Sequence, residues 1–163
     1  MKMQTLPAIF QPTADKPAYW VIDHRMTVLI PGEQTNNAYA VLETFVLPGG
    51  GPPPHIHHRE DELFYVLDGD ITIFAGEQTV RGGAGTCVHI PLGTVHTFKN
   101  EGNRPARMLT TYTPAGVENF FIKAGTPTAH GDETAPPVMQ EAMERLQAYA
   151  PQYNVEVLPP ENG

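Results

Sequence analysis

The chain is poor in what several classes of protein require. Its single cysteine, Cys87, excludes a disulfide within the chain and suits a reducing compartment. No run of about eighteen apolar residues occurs, so no helix is expected to span a membrane. Residues 1–20 hold no long apolar run of the signal-peptide kind, and cytoplasmic residence is the expectation. Positive charge is scarce: 10 Lys and Arg stand against 18 Asp and Glu, for a net charge of −8 with His neutral. An acidic surface repels phosphate backbones and no basic cluster offsets it, so nucleic acid is not an expected partner. The excess acid serves solubility.

Proline and glycine, by contrast, are plentiful, at 17 and 15 of 163 residues. They separate short apolar segments, the pattern of an all-β chain with tight turns. Strands are expected at residues 19–22, 26–30, 39–47, 63–67, 71–74, 79–81, 86–90, 95–99 and 106–112, all rich in Val, Ile, Phe, Tyr and Thr. Turn signals lie between them, among them Pro31-Gly32, Asp68-Gly69-Asp70 and Pro91-Leu92-Gly93. Many short strands at this spacing argue for a sandwich or barrel. Residues 1–18 read as an arm, on the barrel edge or on a second subunit, and 19–124 as the barrel. Residues 125–163 read as a loop (125–137), a helix (138–149) and a tail with a last strand (153–158), packed on the barrel. A shorter helix is expected at 116–123. The Met139, Ala142, Met143 and Leu146 stripe suits a helix packed on the barrel.

Two segments carry chemistry. Alternate side chains of a strand share a face, so His55 and His57 aim two imidazoles at one point. Glu62, five residues on, has the wrong parity for that strand. The chain must turn or bulge through residues 58–61, and Glu62 must open the next strand. His96 comes from a later one. If the sheet closes, all four side chains can converge. Three imidazoles and one carboxylate suit a divalent transition metal: Zn, Fe, Mn, Co, Ni or Cu. Such an ion would keep open positions for a small molecule. By parity Phe64, Val66, Phe98, Met108, Thr110 and Tyr112 face the barrel interior. Their default role is core, and Phe64, Val66, Phe98, Met108 and Tyr112 are also the candidates to line a substrate cavity. His58 is expected outward or supporting a ligand, and His89 on a strand face. His24 and His130 fall in loops, and Cys87 reads as a small buried apolar residue.

These segments resemble the two signature motifs of the cupin superfamily. Gly49, His55, His57, Glu62 and Gly69 fit the first at every fixed position. Gly85, Pro91, Gly93, His96 and Asn100 fit the second. The resemblance implies a double-stranded β-helix, or jelly-roll, barrel, to which the apolar spacing adds short C-terminal helices. It implies one metal ion on His55, His57, Glu62 and His96. The segment around His55–Gly69 and the Thr113–Phe121 segment are similar to single-domain bacterial cupins related to quercetin 2,3-dioxygenase. That likeness implies a dioxygenase-type oxidoreductase taking a small aromatic or enolic substrate and dioxygen, with Glu62 as catalytic base. The alternatives are a metal-dependent sugar or keto-acid isomerase or epimerase, and a non-catalytic binding protein. A phosphosugar enzyme would need basic residues at the cavity mouth, with Arg59, Arg81, Arg104 and Arg107 as the candidates. By analogy with related cupins the chain is expected to form a homodimer.

Overall fold

Short β-rich segments broken by Pro and Gly fold here into two facing antiparallel sheets. The computed structural model describes residues 5–137 and 139–159. The strands are β1 (Ala18–Val21), β2 (His24–Ile30), β3 (Ala40–Val46), β4 (His55–His57), β5 (Asp61–Asp68) and β6 (Ile71–Ala75). They continue with β7 (Gln78–Gly82), β8 (Cys87–Ile90), β9 (His96–Lys99), β10 (Ala106–Thr113), β11 (Thr126–Thr128) and β12 (Val155–Val157). Helices α1 (Glu118–Ala124) and α2 (Met139–Tyr149) follow the main strands. One sheet runs β11-β1-β2-β3-β10-β5-β8, and the other β12-β4-β9-β6-β7. This is the expected all-β jelly roll with short C-terminal helices. Among the described residues, no helix is long and apolar enough to cross a membrane.

Period-two alternation decides what lies inside. Along β10, Ala106, Met108, Thr110 and Tyr112 are buried, while their neighbours are partly or fully exposed. Along β5 the buried set is Glu62, Phe64 and Val66. The interior divides into two zones. Val46, Phe64, Val66, Ile71, Ile73, Ile90, Phe98, Ala106 and Met108 fill the lower one. In the upper zone, barrel residues such as Val21, Val28, Leu42 and Tyr112 meet Phe120 and Phe121 of α1 and Leu146 of α2. The two helices thus cap one end of the barrel, held by apolar burial worth about 25 cal/mol per Å².

Asn100 locks the motif loops together. Its side-chain amide donates to the carbonyls of Val46 (3.0 Å) and Arg104 (2.8 Å), and its oxygen accepts from the Gly102 N–H (2.9 Å). Gly69 holds the expected positive φ, +78°, against Ala106.

Three expectations change. Residues 125–137 are not all loop: β11 pairs with β1, placing Thr126 opposite Trp20. Pro127 is tolerated because β11 is an edge strand. Cys87 is exposed, because β8 is also an edge strand and turns that side chain outward beside Tyr65. His24 is no loop residue: it opens β2 and is 3 % exposed. Val138, expected to begin the second helix, lies outside the described residues, as do the two chain ends.

Candidate metal centre

The His-x-His spacing puts both imidazoles of β4 on its inner face, and the antiparallel register sets His55 directly opposite His96 on β9. After His57 the chain crosses from one sheet to the other through residues 58–60. It enters β5 at Asp61, so Glu62 faces inward, with Tyr112 and Ile90 as its cross-strand neighbours. The structure therefore brings His55, His57, Glu62 and His96 together from three strands of two sheets. One ligand atom from each lies within 4.8 Å of all the others. Opposite ligands at about 2.1 Å from one ion would be about 4.2 Å apart, close to this spread.

Hydrogen bonds on the far side of two rings set their orientation. His55 Nδ1–H donates to the Pro53 carbonyl and His96 Nδ1–H to the Thr94 carbonyl, each at 2.9 Å. Both rings then turn Nε2 to the centre. His57 is 2 % exposed, and neither of its nitrogens has a hydrogen-bond partner among the described residues. A buried imidazole without partners is costly in a pure core, and a cation at Nε2 would satisfy it. The donor set, the spread and the orphaned nitrogen all fit a divalent transition metal.

The electrostatics are uneven. Burial, reinforced by His96 and His57, lowers the His55 pKa to about 3, so that ring stays neutral and ready to ligate. Burial alone would raise Glu62. The hydrogen bond from His96 and the neighbouring imidazole charges outweigh it and hold the carboxyl at about 2. Burial lowers His96, but Glu62, 2.7 Å away, more than reverses this and raises its pKa. Burial, then the Glu62 charge, pushes the Tyr112 phenol well up, so it keeps its proton.

Beside the centre is a cavity of about 30 Å³, room for about two waters. Besides His55 and His57 it is walled by Val21, Phe120, Phe121, Leu146 and Val155. Phe64, Val66, Phe98, Met108 and Tyr112 do not line it. Phe64, Val66, Phe98 and Met108 are close-packed in the lower core, and Phe64 touches the centre only as a ring 6.4 Å from His96. Tyr112 comes nearest, its ring 5.5 Å from His57. Parity places these five inside, but the open space is formed where the helices close the barrel.

His24 is the residue that sequence reasoning missed. It lines the cavity with His55 and His57. Its Nδ1 lies 3.3 Å from Asp23, whose carboxylate also accepts the Gly51 N–H at 3.1 Å. The Asp-His pair before a β-branched run was the available signal. His58 points outward, as expected, to Glu156 at 2.8 Å. His89 is also outward, 3.9 Å from Asp61. His130, in its loop, meets Thr27 at 3.0 Å.

Residues 43–112 match the family model of the cupin domain. The curated quercetin 2,3-dioxygenase of Bacillus subtilis is 25% identical over 105 residues, which are 64% of this chain and 31% of that protein. A germin-like protein of Arabidopsis thaliana (subfamily 2 member 2) is 36% identical over 90 residues, covering 51% of this chain and 40% of that protein. The chain thus corresponds to well under half the length of either relative. Two solved structures share the fold. One is a predicted oxalate decarboxylase from Thermotoga maritima, with TM-score 0.61 and 20% identity, covering 65% of this chain and 99% of that one. The other is an RmlC-like cupin from Shewanella frigidimarina, with TM-score 0.59 and 15% identity, covering 69% and 96%. The match to the cupin-domain model covers residues 43–112, and the motif residues and the sheet topology agree with it.

Proposed function

We propose that this cupin is a metal-dependent oxidoreductase of the dioxygenase type acting on a small aromatic or enolic molecule. The observation that carries the reading is Glu62. It is a buried carboxylate inside a three-imidazole cluster, held ionised and hydrogen-bonded to His96, and two of those imidazoles, His55 and His57, line the neighbouring cavity. His55, His57, Glu62 and His96 would hold one divalent ion, which would supply a Lewis-acidic centre able to engage an enolate oxygen. Glu62, held ionised, would accept the proton of an enol or acidic C–H. Val21, Phe120, Phe121 and Leu146 give the cavity that His55 and His57 reach an apolar wall. Tyr112 stays neutral and packs against His57. The resemblance to quercetin 2,3-dioxygenase supports the same class of substrate.

A phosphosugar isomerase is less well supported, because none of Arg59, Arg81, Arg104 and Arg107 lines the cavity. Cytoplasmic residence and a homodimer belong to this reading. The outer face of β5 leaves Leu63 36 % and Tyr65 42 % exposed, a surface suited to a second copy.

Oxygen uptake tests the proposal. The chain would be loaded in turn with Fe, Mn, Co, Ni, Cu and Zn and offered flavonols, diketones and small enediols. Uptake with at least one pair, abolished in Glu62→Gln, is expected. No uptake with any pair, alongside turnover of a sugar or keto acid without oxygen, would replace this reading by an isomerase. Ligand binding without any turnover would make the protein a binding module.

A further inference from the structure

The three imidazoles of the centre are not held alike. His55 and His96 each give their Nδ1–H to a backbone carbonyl two residues earlier. His57 has no such bond. What faces its Nδ1 is the Glu60 carboxylate, three residues on in the crossover between the sheets, with Oε2 at 3.7 Å. Glu60 is 1 % exposed, and neither of its oxygens has a hydrogen-bond partner among the described residues. The neighbouring cation is Arg59, 3.9 Å away and half exposed, so that charge is screened by water.

A buried carboxylate with no donor is a cost to the fold. Hydrophobic residues of that volume would serve the barrel better. We infer that Glu60 is a positioning residue for the metal centre: it receives the Nδ1–H of His57 and fixes the tautomer whose Nε2 faces the cation. This rests on the metal reading proposed above. A cation on Nε2 makes Nδ1–H a stronger donor, which draws the two groups into a charge-assisted bond. The charge count agrees. Three neutral imidazoles and the two carboxylates of Glu62 and Glu60 balance a +2 ion, so a buried divalent site ends with no net charge.

The test uses the full chain and zinc alone, with affinity read by competition against a chromophoric chelator. Glu60→Gln is expected to bind zinc about 10- to 100-fold more weakly than wild type. Glu60→Asp should recover part of the loss. The metal-free Glu60→Gln variant should melt at the same temperature as wild type or higher, because an unpaired buried charge is gone. Affinity within twofold of wild type would overturn the inference, as would a lower melting point with affinity unchanged, which would mark Glu60 as structural. Nitrogen-15 NMR of zinc-loaded wild type needs no variant: His57 Nδ1 should carry a proton shifted downfield of those on His55 and His96. An unprotonated His57 Nδ1 would refute the role. A wild type that binds no zinc removes the metal reading together with this one, whereas tight wild-type binding with an unaffected Glu60→Gln removes this one alone.

Discussion

His96 and Glu62 meet across the barrel interior, Nε2 to Oε2 at 2.7 Å, although they come from strands of different sheets. In the metal-free chain this contact is a hydrogen bond on the very atoms that would face a cation. Glu62 raises the His96 pKa above the ordinary 6.5 despite burial. Metal uptake must then displace a proton at any pH below that raised value. Affinity is expected to fall about tenfold per pH unit on the acid side for this one proton. Calorimetry in buffers of different ionisation heat would detect the released proton. Flat affinity and no proton release between pH 7.5 and 5 would contradict His96 as a ligand.

Stability of the metal-free chain should respond to acid in two stages. The folded His55 has a pKa of about 3 against 6.5, so the unfolded chain gains a proton first and stability falls from pH 6.5 towards 3. Glu62, at about 2 against 4.5, contributes stability above pH 4.5 that is lost as pH falls towards 2. His96 acts in the opposite direction. Its raised value contributes stability below pH 6.5 that is lost as pH rises through it. Melting curves in chelator from pH 8 to 4 should therefore show a maximum near neutrality. A midpoint that climbs steadily with acid would contradict the burial of His55.

Core and cap should separate in mutants. Phe64→Ala removes a ring from the close-packed lower zone and should cost about 3–5 kcal/mol, measured by denaturant unfolding. Phe121→Ala opens the wall beside His55 and His57. It should speed removal of bound metal by a chelator more than Phe64→Ala does. Equal chelation rates in both would mean that α1 does not close the site.

The segment before His55 contains two glycines whose roles only coordinates distinguish. A Cβ on Gly51, at φ +154°, would lie 1.9 Å from the Phe98 carbonyl oxygen, whereas one on Gly49, at φ +78°, would meet nothing within 4 Å. Gly49→Ala should cost about 1–3 kcal/mol of backbone strain. Gly51→Ala should cost more, because the backbone beside His96 must move. Thermal unfolding of the two variants compares them directly, and a milder effect at Gly51 would refute the steric argument.

That pair shows what was legible in the chain and what was not. Spacing and parity sufficed for the strands that bring His55, His57, Glu62 and His96 together, because alternation acts locally along each strand. They also sufficed for the inward set of β5 and β10. The motif resemblance picked Gly49, but local patterns could not show that Gly51 abuts Phe98. They placed His24 in a loop because nothing local shows that it opens β2 beside β3. The edge strand β11 escaped because three residues around Pro127 carry no periodic signal and depend on β1 for their pairing. The cavity wall escaped because Val21, Phe121, Leu146 and Val155 come from four distant segments, and no local pattern relates them.

Elemental analysis of the full chain, purified without chelators, tests the central claim most directly. The four inward side chains should retain about one transition-metal ion per chain, and both His57→Ala and Glu62→Gln should lose it while circular dichroism still reports the barrel. A wild type that is metal-free, and that takes up none of Fe, Mn, Co, Ni, Cu or Zn when they are supplied, would contradict it.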